Sequence, residues 1–244
     1  MYALQTKNLS KVFGGVRAVD GLSISFEKGA ITGVVGPNGS GKTTLTNVLT
    51  GLYPIDGGAV IIGSGKEREK IPSHEVFSLG ISRTFQSVRL FGQMSVLDNL
   101  LLAVTKRNIL GAFFEKHGQF HLGQAEETLK RVGLWEKRDE HAENLSYGQR
   151  KLLEIARALA TGAQTIFFDE PFAGLFPEMV KRISGIMKEL RAGDQTVILI
   201  EHDMAIIREL CDHAIVLDAG KLLAEGKPDE VLNDKRVIEA YLGV

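Results

Sequence analysis

The residues Gly36-Pro37-Asn38-Gly39-Ser40-Gly41-Lys42-Thr43 follow a spaced pattern: glycine, four residues, then Gly-Lys-Ser/Thr. Glycines let the backbone curl so that successive N–H groups face an anion, and a helix starting near Lys42 adds the positive end of its dipole. In such a loop the lysine neutralises the β- and γ-phosphates of a nucleotide, and the Thr43 hydroxyl ligates Mg²⁺. A second constellation lies downstream, where the apolar run Thr165-Ile166-Phe167-Phe168 leads directly into Asp169-Glu170-Pro171. Carboxylates emerging from the carboxyl end of a parallel strand face the ligand crevice. Asp169 would then hold Mg²⁺ through a water, and Glu170 would orient or deprotonate an attacking water. His202, in Ile200-Glu201-His202-Asp203, follows another apolar run and could reach a γ-phosphate, although a histidine in that position is commonly structural.

Positioning these groups requires a particular set of elements. Ile31 to Val35 is short, apolar and β-branched, which predicts a buried strand before the glycine loop, with a helix over Thr43 to Leu52 after it. Comparable runs at Thr165 to Phe168, Thr196 to Ile200 and Ala214 to Leu217 are separated by helical stretches at Met179 to Arg191 and Met204 to Leu210. That alternation predicts an α/β fold with a parallel sheet. Leu4 to Leu9 and Leu22 to Phe26 alternate in polarity, and Ala59 to Ile62 follows the Gly57-Gly58 turn, so an antiparallel β subdomain is expected beside it. From about residue 87 to 160 helical periodicity takes over, with Ala125, Leu129 and Val132 at i, i+4 and i+7. Residues 1–244 therefore divide into a core of 1–86 plus 161–244 and an inserted helical subdomain of 87–160. The charged stretch Lys66 to Lys70 is expected as a solvated loop.

Composition narrows the function. Lysine and arginine total 29 against 30 acidic residues, a net charge of -1, so the chain offers no uniform positive field for nucleic acid. One cysteine, Cys211, cannot form an intramolecular disulfide, which suits a reducing compartment such as the cytosol. No basic and apolar leader precedes the first strand-like run, and no apolar stretch approaches the roughly 20 residues of a membrane helix. Membrane association is expected through partners.

Leu145-Ser146-Tyr147-Gly148-Gln149 ends 20 residues before Asp169 and resembles the signature motif of ATP-binding cassette (ABC) proteins, with tyrosine where glycine is usual. The same residues fit a helix capping box, Ser146 as N-cap and Gln149 reaching back. The resemblance implies a P-loop ABC ATPase with ATP and Mg²⁺, in which Ser146, Gly148 and Gln149 face the nucleotide of a partner subunit. It adds Thr44 to the nucleotide-binding segment. It implies that Phe13, 23 residues before Gly36, stacks on adenine, a core phenylalanine being the competing reading. It implies that Gln86 senses Mg²⁺ and links the core to the helical insert, and that His202 is a switch histidine. Within the family the chain is similar to ATPases of branched-chain or hydrophobic amino acid uptake, through Arg83-Thr84-Phe85-Gln86-Ser87-Val88-Arg89-Leu90-Phe91, Leu153-Glu154-Ile155-Ala156-Arg157-Ala158-Leu159, Ile200-Glu201-His202-Asp203-Met204 and Ala240-Tyr241-Leu242-Gly243. Phe176 departs from the aspartate or asparagine usual after Ala173-Gly174-Leu175, which removes a hydrogen bond from the D-loop.

The implied partners are integral membrane permease subunits, a second ABC ATPase subunit that is either an identical copy or a sister, and indirectly a solute-binding protein. The implied location is the cytoplasmic face of the membrane. Lipid-exporting cassettes remain the alternative solute class, and an ABC ATPase serving no pore is a second alternative, although the chain has neither a coiled-coil insertion nor a fused second cassette. A P-loop kinase or GTPase would leave the signature segment, Gln86 and His202 without a role.

Overall fold

A computed structural model describes residues 1–104 and 118–242 of the chain. The described residues fall into two compact units, one of Met1–Arg83, Gln164–Glu170 and Met187–Val244, the other of Thr84–Ala163 and Pro171–Ile186.

In the first unit two sheets form. The N-terminal one begins with β1 (Tyr2–Phe13), β2 (Val16–Leu22) and β3 (Ser25–Glu27), and adds β5 (Gly57–Ile62) and β6 (Glu67–Arg68). Its order is β2-β1-β5-β6, with β3 also pairing β1, and the pairs are antiparallel. Glu67 and Arg68, expected in a loop, pair instead with Ile61 and Val60. The sheet edge supplies backbone partners, and Lys7 forms an ion pair with Glu67, so charge is accommodated on an exposed edge strand.

The second sheet contains β4 (Ile31–Val35), β7 (Ile81–Arg83), β8 (Thr165–Asp169), β9 (Thr196–Ile200), β10 (His213–Asp218) and β11 (Lys221–Gly226). Its order is β11-β10-β4-β9-β8-β7, parallel except for the β10–β11 hairpin. Strands β4, β8 and β9 are buried at every position, which is why they read as unbroken apolar runs. Strand β11 lies at the edge and is mostly half-buried, so its pattern carries no comparable signal.

Helix α1 (Lys42–Leu49) follows β4. It stops short of the expected Leu52, because Thr50 takes the cap and Gly51 turns to φ +69°. Leu45, Val48 and Leu49 join Val34, Phe167, Ile198 and Ile200 of the parallel sheet and Leu4, Leu22, Phe26 and Val60 of the antiparallel one in a single buried cluster. Each fully buried aliphatic or aromatic side chain there contributes about 1.5–3 kcal/mol.

The second unit is built from α2 (Val96–Val104), α3 (Gly118–Val132) and α4 (Tyr147–Ala160), with the start of α5 (Pro177–Ala192). The periodic Ala125, Leu129 and Val132 of α3 are fully buried, as are Val96 and Leu100 of α2 and Leu153 and Ala156 of α4. These three helices pack pairwise, so the stripe read from the sequence is the packing face. The chain continues in the first unit through α6 (Met204–Leu210), α7 (Pro228–Val231) and α8 (Lys235–Leu242). Among the described residues no helix is long and apolar enough to cross a membrane.

Candidate functional site

Sheet order brings the sequence-distant groups of the first unit together. Strands β4, β9 and β8 are neighbours, and one row across them pairs Val34 with Ile200 and Ile200 with Asp169. The segments just beyond this row are the glycine loop, His202 and Glu170. Gly36 adopts φ +150°, and a Cβ there would lie 2.1 Å from the Leu217 carbonyl oxygen, so no side chain fits where the loop leaves the sheet. Gly41 caps α1 without any side-chain hydrogen bond, leaving first-turn N–H groups without intrahelical acceptors. Asn38, Gly39 and Thr43 are exposed on this turn, Pro37 and Thr44 are half-buried, and Ser40 is buried.

Lys42 is only 6% exposed and folds back over its own loop. Its Nζ donates to Gly36 O at 2.8 Å, to Pro37 O at 3.0 Å and to Ser40 Oγ at 3.3 Å. Burial pulls the ammonium pKa below its ordinary value, while the negative charges of Glu170 and Asp169 act against that fall. The two acids thus help to keep Lys42 charged.

Glu170 has φ +46°, a left-handed conformation that costs a non-glycine residue energy and is found preferentially at functional positions. The turn is held by Glu170 N–H donating to Ile200 O at 2.9 Å. Its Oε1 lies 2.5 Å from His202 Nε2. A carboxylate held against an imidazole at a strand end can position a water and support a charge developing beside it. Asp169, immediately before, is buried and receives Arg83 Nη2 at 2.9 Å on Oδ2.

Phe13 stands on the antiparallel layer of the same unit. It is 42% exposed, so the core reading does not hold, and it meets Tyr53 edge-to-face at 5.3 Å with Lys11 Nζ 5.2 Å from its ring centre. Asp56 accepts from Lys11 Nζ and from Val12 N–H, both of which pull its carboxyl pKa down and brace the strand end that presents Phe13.

Gln86, Ser146, Gly148 and Gln149 lie in the second unit. The capping box is present in full: Gln149 N–H donates to Ser146 Oγ at 3.3 Å, and Ser146 N–H to Gln149 Oε1 at 3.0 Å. Gly148 packs so closely on Met179 that a Cβ would lie 2.9 Å from its terminal methyl. Helix α4 also grips the segment around Gln86. Lys151 Nζ donates to Phe85 O and Gln86 O, Glu154 Oε1 accepts from Phe85 N–H, and Arg157 donates to Arg89 O. Burial raises the Glu154 carboxyl pKa, opposed by that N–H and by the Lys151 charge. Phe176 is 81% exposed, and its carbonyl accepts from Met179 N–H and Val180 N–H.

Sequence alone assigns no role to Arg83, Tyr53, Lys151 or Glu154, because their partners are remote in the chain. Tyr241 of α8 belongs with them. Burial pushes its phenol up to about 12, and the Gly36 backbone acts against that rise.

A glycine loop between a central strand and a helix, with acids and a histidine at the neighbouring strand ends, defines a P-loop nucleotide-binding ATPase. The ABC transporter family model matches residues 19–173, and that for the branched-chain amino acid ATP-binding cassette transporter matches 221–244. The high-affinity branched-chain amino acid transport ATP-binding protein LivG of Salmonella typhimurium is 38% identical over 98% of this chain and 97% of its own. A probable LivG of Methanocaldococcus jannaschii is 39% identical, covering 100% and 98%. The crystal structure of a nucleotide-free ATP-binding cassette from an ABC transporter superposes with a TM-score of 0.89 at 37% identity, covering 100% of both chains. The crystal structure of the ADP conformation of an ABC transporter cassette gives 0.88 at 37%, also over 100% of both. The chain belongs to the ABC transporter family, as an ATP-binding and ATP-hydrolysing cassette of the branched-chain amino acid branch.

Proposed function

We propose that this chain powers the import of branched-chain or other hydrophobic amino acids, docked on the cytoplasmic face of permease subunits in the membrane and paired with a second ATPase subunit. Similarity to LivG proteins over nearly the full length, at 38% identity, supports the solute class, and the Glu170–His202 contact beside the folded phosphate loop carries the chemistry. A solute-binding protein enters indirectly, as the source of solute for the permease.

In the proposed reaction the glycine loop and Lys42 hold the β- and γ-phosphates, and Phe13 stacks on adenine. Glu170 aligns a water with the γ-phosphorus and takes its proton as the new P–O bond forms and the bond to the bridging oxygen breaks. His202 steadies Glu170 and lies within reach of the γ-phosphate. Thr43, exposed on the first turn of α1, and Asp169 are oxygen donors of the kind a hard cation selects. Mg²⁺ bound there would neutralise charge building on the phosphate oxygens. We further propose that residues 87–160 act as the subdomain carrying the force to the permease. The Ser146 end of α4, with Gly148 and Gln149, would face the nucleotide of the opposite subunit.

In cells lacking this chain, uptake of labelled leucine, isoleucine and valine should fall to background and return with the parent chain but not with Lys42→Ala. Unchanged uptake of all three would remove this solute class.

A further inference from the structure

The guanidinium of Arg83 is a largely buried hub joining three elements of the first unit. Strand β7 pairs with β8 so that Arg83 stands opposite Phe167, which places its side chain on the face that also carries Asp169 two residues on. That face packs against α1, whose Leu45, Val48 and Leu49 share the cluster with Ile81 and Phe167. Where the apolar contact ends, Arg83 continues it with hydrogen bonds. Its Nη2 donates to Asp169 Oδ2 at 2.9 Å, and its Nη1 donates to Asn47 Oδ1 at 2.7 Å and to Thr50 Oγ1 at 3.0 Å. The Arg83 side chain is 9% exposed and that of Asp169 4%.

Charge explains why the arrangement holds. A buried carboxylate without a partner is strongly disfavoured, and Arg83 supplies the opposite charge in planar, directional form. Asn47 and Thr50 lie at the carboxyl end of α1, where the helix dipole also favours a cation. Stability alone is a poor reason for such a pair, because well-packed apolar residues of similar volume often serve as well. What the pair does uniquely is fix one carboxylate orientation and tie it to a helix.

The helix in question starts at Lys42 and Thr43, and Thr43 and Asp169 are the two residues of this unit proposed above to hold Mg²⁺. We infer that Arg83 is a positioning residue for the cation site: it holds the Asp169 carboxylate in register with α1, so that the two oxygen donors keep the spacing that a divalent ion requires. The guanidinium does this through protein contacts. It acts through Asp169 at one end of its fork and through Asn47 and Thr50 at the other. The inference rests on the Mg²⁺ reading of Thr43 and Asp169.

The test is nucleotide affinity measured by calorimetry twice, with ATP in EDTA and with ATP plus Mg²⁺ under conditions too short for turnover, alongside the melting temperature of the nucleotide-free protein. Arg83→Lys keeps the charge and loses the fork. It should leave affinity in EDTA within about threefold of the parent and cut the gain on adding Mg²⁺ by about tenfold, the scale of one charge-assisted hydrogen bond. Asn47→Ala/Thr50→Val removes only the α1 end of the hub and should reduce the same gain in a protein that keeps its buried ion pair. If Arg83→Lys does not fold, this second variant decides the outcome. A lowered melting temperature with an unchanged Mg²⁺ gain, or an equal loss with and without Mg²⁺, would overturn the inference and leave Arg83 as a core ion pair. A parent protein with no Mg²⁺ gain at all would instead remove the Mg²⁺ reading itself, and this inference with it.

Discussion

Phe13 shows how one side chain can be placed by exposure. An aromatic of that size left 42% exposed, braced by Tyr53 and by the Lys11–Asp56 pair, loses burial energy it would otherwise gain. A π-face offered to solvent suits stacking on a base, and stacking is worth about 1–3 kcal/mol per base. Phe13→Ala should therefore weaken ATP affinity by about fivefold to a hundredfold with little change in the melting temperature of the nucleotide-free protein. Because every base has a π-face, the loss for GTP should be similar. Unchanged ATP affinity in this variant would remove the stacking role.

At the scale of elements, α4 has two duties that one residue can separate. Ser146 caps the helix, and replacing a capping serine by alanine costs about 1 kcal/mol. Aspartate caps as well as serine does, so Ser146→Asp should keep the melting temperature of the parent. If the helix end also faces a phosphate on the opposite subunit, the added negative charge should abolish most ATP turnover in the assembled transporter. Parental turnover in Ser146→Asp would reduce the segment to a cap. Further along the same helix, Lys151, Glu154 and Arg157 bind the backbone around Gln86, so that segment and the Ser146 end belong to one rigid element.

For the whole molecule, the proposed reaction links hydrolysis to association. Glu170→Gln nearly preserves shape, removes the proposed base and lessens charge repulsion between two nucleotide-loaded subunits. Phosphate release should drop by at least about a hundredfold, the lower range for losing a general base. Bound ATP that persists in the closed pair alone shifts the monomer–dimer balance by mass action. Light scattering after size exclusion should therefore find a dimer of the variant with ATP and much less with ADP. Parental phosphate release would take Glu170 out of the catalytic role. Normal loss of hydrolysis without dimerisation would point to a sister subunit as the required partner.

Local order in the chain settled a good deal. The glycine loop needs only its own backbone and the helix after it, a capping box spans a single turn, and fully buried parallel strands announce themselves as apolar runs; all three were legible, as were the stripe on α3 and the carboxylates at the end of β8. Edge strands were not: Glu67–Arg68 and β11 take their conformation from neighbours, since an exposed edge imposes no apolar pattern. The pairing of Glu170 with His202 depends on β8 and β9 being adjacent, and that order is decided by tertiary packing. Arg83 is the sharpest case. Its partners Asn47, Thr50 and Asp169 lie 36, 33 and 86 residues away, and only a sheet closed over α1 gives its guanidinium any of them. Chemistry carried by contiguous residues can be read from the sequence, whereas chemistry that depends on burial and on charges meeting across elements exists only once the core has formed.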